Sequence, residues 1–159
     1  MLLRSCTGAS ASESLYPKSS FNRRKTPTHE KVMTRDQIVH KLEQFLDHFH
    51  AYNLDAVVAM FAENATAEHP NGDLATGRKE IREQLAPYFS RQMGDGHWDI
   101  ERTDVDEPNN IAWSVWTMTL TAPGRTATLR GCETFEFNNA GLITRQSVFV
   151  KADPRMGQS

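Results

Sequence analysis

Two side chains in this sequence could move a proton from an apolar setting near neutral pH: His69 and Glu133. His69 ends the stretch Ala65-Thr66-Ala67-Glu68-His69, which reads as a short strand running into the turn Pro70-Asn71-Gly72. A side chain at the end of a strand can point into a hollow instead of packing flush between neighbours. Histidine ordinarily titrates at about 6.5, so it can take or give a proton there. Glu133 lies on the alternating face Leu129, Gly131, Glu133, Phe135 and Phe137 of a predicted strand. A carboxylate on such a face is strongly disfavoured unless it is paired or protonated. Three readings stay open: the face meets solvent, Glu133 caps a buried ion pair with Arg78 or Arg145, or it is a protonated acid in a pocket.

Other constellations offer less. His48 and His50 are about 200° apart around a helix and face opposite sides. Glu68 and His69 likewise face opposite sides of their strand. The sequence has no paired cysteines, no His-Glu-x-x-His and no Asp-rich loop, so neither a metal nor another cofactor is expected. Gly94-Asp95-Gly96 reads as a turn, not a phosphate loop, and no serine nucleophile elbow occurs. Proton transfer by side chains is the chemistry left.

The elements that must position these residues can be read from periodicity. Ile38, Leu42, Phe45, Phe49 and Tyr52 recur at steps of three and four, which predicts a helix over 34–52 started by Thr34 or Asp36. A break at Asn53 and a short helix over 55–62 follow, burying Val57, Val58 and Phe61. A third helix over 77–90 would bury Ile81, Leu85 and Phe89, with Pro87 fraying or bending its end. From residue 97 the period becomes two. Strands are expected at 98–102, 111–121, 126–138 and 142–151, with a hairpin turn at Asn138-Asn139-Ala140-Gly141. Helices first and antiparallel strands second make the class α+β.

Length and charge set the bounds. The chain has 159 residues, suited to one domain, and a net charge of -2. Residues 1–33 carry six basic and two acidic side chains; the rest carries twelve basic and eighteen acidic. An acidic body repels phosphate backbones, so nucleic acid is not an expected partner. No apolar run is long enough to span a membrane. The first 33 residues read as a disordered basic tail, an upstream segment ahead of Met33, or an organelle transit peptide. The folded domain is expected at 34–152, with a short tail at 153–159. Cys6 and Cys132 make no disulfide framework, which points to a reducing, cytoplasmic setting unless the tail directs the chain to an organelle.

Several segments together resemble the SnoaL-like and ketosteroid-isomerase-like branch of the nuclear transport factor 2 superfamily. They are Asn53-Leu54-Asp55-Ala56-Val57-Val58-Ala59-Met60-Phe61-Ala62, Ala65 to Pro70, Gly77-Arg78-Lys79-Glu80-Ile81, Phe135-Glu136-Phe137 and Gly141-Leu142-Ile143. The resemblance covers about residues 34–152. It implies a cone: a curved antiparallel sheet wrapped around three N-terminal helices, a ligand cavity inside, and often a dimer across the outer sheet face. It aligns His69 with the general base of the ketosteroid isomerases and Glu133 with the carboxylic acid of their oxyanion hole. The tyrosine of that hole falls at Phe45. Two polar positions are thus kept in altered form and one is lost.

Two functions follow as expectations. One is cofactor-independent acid–base catalysis of isomerase, cyclase or dehydratase type on a small hydrophobic carbonyl compound. In it His69 and Glu133 act either as a separated base and acid or as a touching dyad in which Glu133 orients His69. Gln146 adds a neutral donor, and Phe45, Phe49, Trp116, Met118, Phe135 and Val148 supply an apolar wall. The other is a non-catalytic dimeric module that binds a small ligand or a protein segment. Under both, Trp113, Val115 and Phe149 on the outer sheet face would form a homodimer patch.

Overall fold

A computed structural model describes residues 32–92 and 94–151. Three α-helices precede most of a six-stranded sheet: α1 (Arg35–His50), α2 (Leu54–Ala59), β1 (Phe61–Glu68), β2 (Leu74–Thr76), α3 (Gly77–Phe89), β3 (Asp95–Asp106), β4 (Ile111–Ala122), β5 (Arg125–Phe137) and β6 (Ile143–Val150). The strand order is β2-β1-β6-β5-β4-β3. Every neighbouring pair is antiparallel except β1 with β6, which is parallel. The class is α+β, as expected. The tails expected at 1–33 and 153–159 lie outside the described residues, apart from Val32 and Met33.

Local chemistry accounts for the helix starts. Thr34 accepts the backbone N–H of Gln37 at 3.3 Å, while the Gln37 side chain accepts the Thr34 N–H at 3.0 Å. This reciprocal box satisfies two donors that the first turn cannot. After α1 the chain turns through Tyr52 at φ 53, and the Asn53 side chain caps α2 by accepting from the Ala56 N–H.

α2 ends at Ala59, three residues before the sequence suggests, and β1 begins at Phe61. A six-residue helix has little propagation energy of its own. Pairing of Phe61 with Ile143 prevails, and Arg78 fixes the junction by donating Nε to the Phe61 carbonyl at 2.7 Å. β2 was not foreseen. It is three residues long and pairs back onto β1 across the Pro70-Asn71-Gly72 turn. β3 starts at Asp95, inside the glycine pair that reads as a turn. Gly96 belongs there because a β-carbon would sit 2.5 Å from the Tyr88 hydroxyl oxygen.

β3 is an edge strand, and the end of α1 covers that edge. The Tyr52 hydroxyl accepts the Gly96 N–H at 2.7 Å, and His50 Nε2 lies 3.2 Å from the Trp98 nitrogen and 3.1 Å from its carbonyl oxygen. The Gly96 N–H and one of the two Trp98 groups, according to the tautomer, are thereby met by side chains where a partner strand would otherwise bind. The core lies between the helices and the inner sheet face: Ile38, Phe45, Val57, Phe61, Ile81, Trp116, Phe135 and Ile143 are buried. Met33, placed in the tail by sequence alone, is also buried in this core.

Asn110 anchors that entry. It turns at φ 52, is buried, and its Oδ1 accepts the Met33 backbone N–H at 2.8 Å. Asn110→Ala should lower stability by about 2–3 kcal/mol, from left-handed strain plus a lost hydrogen bond. Asn110→Gly keeps the conformation and should lower it by about 1 kcal/mol. Urea unfolding of both variants checks this; equal losses would remove the backbone component.

Candidate active site

The concave side of the sheet and the helices enclose a cavity of about 700 Å³. Its wall includes His69, Glu133, Phe45, Phe49, Trp116, Met118, Phe135, Gln146 and Val148, the nine positions singled out from sequence. The strands explain this. Ala112, Ser114, Trp116 and Met118 of β4 are buried in alternation, so that face looks inward. Register then sets Ser114, Glu133 and Val148 in one row across β4, β5 and β6, with Phe135 and Gln146 paired in the next.

Glu133 is half-buried at this wall and meets neither arginine considered from sequence. Arg78 is engaged with the Phe61 carbonyl, and Arg145 is exposed. Its carboxyl instead accepts a hydrogen bond from Gln146 Nε2 at 2.8 Å. Desolvation pushes its pKa up to about 7, although the Gln146 hydrogen bond pulls the other way. Near neutral pH the group is therefore shared between acid and carboxylate, with no cation beside it among the described residues.

His69 sits at the rim, exposed, in the hairpin between β1 and β2. Its Nδ1 lies 3.0 Å from Asn71 Oδ1. The orientation of Asn71 is set by Asp73, whose N–H donates to Oδ1 at 3.0 Å and whose carboxylate accepts from Nδ2 at 2.7 Å. An amide oxygen only accepts, so Nδ1 carries a proton, and in the neutral imidazole the lone pair is therefore on Nε2. No partner for Nε2 occurs among the described residues. His69 and Glu133 share no hydrogen bond there either; the arrangement is the separated one, and Asn71 orients the imidazole.

Asn71 is the residue sequence reasoning missed, since an Asn before Gly reads first as turn chemistry. Its spacing to His69 and Asp73, two residues each way, is the local signal that could have found it. Tyr88 and Trp98 also line the cavity. The third helix buries Tyr88 more than Phe89, because Tyr88 stacks on Tyr52 at 5.7 Å and reaches the Gly96 carbonyl. Phe45, at the lost tyrosine position, packs on Phe49, Phe61 and Phe135, with ring centroids 4.9, 6.1 and 5.3 Å away. The Trp116 ring lies over Gly131, where a β-carbon would stand 2.6 Å from it.

A carboxyl with a raised pKa binds its proton more tightly folded than unfolded. The folded state is thus undisturbed below the unfolded value, loses stability as pH rises from there to about 7, and is level above. Glu133→Gln should match the parent near pH 4 and exceed it by about 2–3 kcal/mol at pH 8, read by urea unfolding. A pH-independent difference would show that Glu133 is not held in this way.

Comparison with known proteins fits this geometry. A protein of unknown function with a cystatin-like fold from Methylobium petroleophilum PM1 matches with TM-score 0.65 and 21% identity, over 77% of this chain and 80% of that one. SalBIII, an epoxide hydrolase/cyclase-like enzyme in pyran ring formation in the polyether salinomycin, matches with TM-score 0.65 and 19% identity, over 73% and 92%. RV0760c from Mycobacterium tuberculosis matches with TM-score 0.65 and 17% identity, over 78% and 96%. No curated protein matches the chain. Identities this low speak to the fold, which is cystatin-like, of the nuclear transport factor 2 type. The model of the SnoaL-like domain matches residues 42–146, and the chain belongs to that family.

Proposed function

We propose that the chain catalyses proton transfer on a small hydrophobic carbonyl compound held in the cavity, as an isomerase, cyclase or dehydratase. The observation that carries this reading is Glu133: a carboxyl with no cation beside it among the described residues, facing an apolar hollow, with its pKa pushed to about 7. In its acid form it donates to a carbonyl oxygen and stabilises the charge that develops there. His69 Nε2, freed by the Nδ1 bond to Asn71, is the base that takes the proton from carbon. Gln146 holds the Glu133 carboxyl in place. Both roles need only side chains. SalBIII, named as cyclase-like, shares the fold; the case for catalysis here rests on Glu133 and not on that likeness.

The test is exchange of the α-protons of an apolar cyclic ketone, 2-tetralone, in deuterated buffer. The chain should accelerate it, with kcat/KM falling as pH rises past about 7 and Glu133 deprotonates. His69→Ala should lower the rate about 100-fold while ketone affinity changes less than about threefold. Equal losses in rate and affinity would favour the second reading, a non-catalytic binding module. No acceleration beyond buffer, with the ketone bound, would establish it.

We also propose a homodimer through the outer sheet face. Trp113 and Phe149 are 39% and 51% exposed there, and register puts Val115, Cys132 and Phe149 in one row across β4, β5 and β6. Sedimentation should give a dimer for the parent chain and a monomer for Val115→Arg. A monomeric parent would remove the seam.

A further inference from the structure

The charges around the cavity select its ligand. Glu43 of α1, Glu83 of α3 and Asp73 of the β1–β2 hairpin line the cavity and are exposed, which places them at its mouth. Three separate elements thus bring carboxylates to one opening. Glu68 and Glu133 add two more along the wall. No lysine or arginine lines the cavity among the described residues. Among the described residues the basic group in the lining is the His69 imidazole at the rim; His40, outside the lining, has its Nδ1 3.8 Å from the Glu43 carboxylate. A cleft lined by one sign of charge with apolar walls focuses its field on whatever enters.

The wall itself holds one unpaired donor, sealed within it and separate from the carboxylates. Trp116 lines the cavity, is 2% exposed, and its indole Nε1–H has no acceptor among the described residues. A buried donor without a partner is uncommon in a finished interior.

We propose that the ligand carries a protonated amine, which the carboxylates of the mouth hold while its apolar body fills the interior. This rests on the cavity being a ligand site, and not on proton transfer within it. An anionic ligand, such as a carboxylate or a phosphorylated carrier, would meet four or five carboxyl groups and, among the described residues, no lysine or arginine in the lining. The ammonium needs no deep pairing: three exposed carboxylates act together at short range and weaken with salt.

Three probes of one hydrocarbon separate the possibilities: 1-aminomethyladamantane, 1-hydroxymethyladamantane and adamantane-1-carboxylate, titrated against the whole chain at pH 7 by calorimetry. The amine should bind about tenfold tighter than the alcohol in about 20 mM salt, and the carboxylate at least about tenfold weaker than the alcohol. In about 500 mM salt the spread should shrink several-fold. The variant E43Q/D73N/E83Q should bring the three affinities within about threefold of one another. A carboxylate binding as tightly as the alcohol, or an amine no tighter than it, would overturn the charge selection and leave the cavity as a ligand site. Failure of all three to bind would overturn the site itself, and this proposal with it.

Discussion

The free edge of β3 is where this fold closes. A six-stranded sheet with one long exposed edge would present a row of unpaired backbone groups to any passing strand. Here the last turn of α1 reaches that edge, and the Tyr52 hydroxyl and His50 imidazole occupy the positions a seventh strand would use. The Tyr88 hydroxyl joins them at the Gly96 carbonyl, and burial together with the neighbouring Tyr52 hydroxyl pushes its phenol pKa well up. Edge and helix are thereby tied by polar contacts while the aromatic cluster of Phe45, Phe49, Tyr88 and Trp98 packs beneath them. The sheet curls around the helices instead of lying open, and the hollow follows from that closure.

Closure makes the placement of Glu133 consequential. On an open sheet the same carboxyl would be solvated and its ionisation ordinary. Inside the hollow it shares its wall with Phe135, Val148 and Trp116, and one amide hydrogen bond does not compensate for the hydration lost there. The contrast with Glu101 is instructive. On the outer face that residue is bound by Arg130 and Thr117, and its pKa is held down to about 2. Two glutamates in one sheet are driven in opposite directions by the face they occupy.

Much of this was legible in the sequence because it depended on alternation. A period of two fixes which side chains of β4, β5 and β6 face inward, and so Glu133, Trp116, Met118, Phe135, Gln146 and Val148 could be named from pattern. Contacts between distant segments could not. Nothing local says that Phe61 will pair in parallel with Ile143, or that three residues at Leu74 will fold back as a strand. The partner of His69 was missed for a different reason. Contact with Glu133 was one of two arrangements the sequence left open, yet Asn71 lies two positions from His69 and is the group that reaches the imidazole. Local geometry won over a long-range pairing.

Gly131 has a further implication. Its missing side chain leaves room for the Trp116 ring on one side and sets the strand close against the Phe149 carbonyl on the other. An alanine there could be absorbed only by lifting the indole toward the centre of the hollow or by parting two strands. The depth of the chamber is therefore governed by a residue that does not line it. Relatives wishing a shallower or differently shaped interior could reach it by a single methyl group behind the wall, leaving every ligand-facing side chain unchanged.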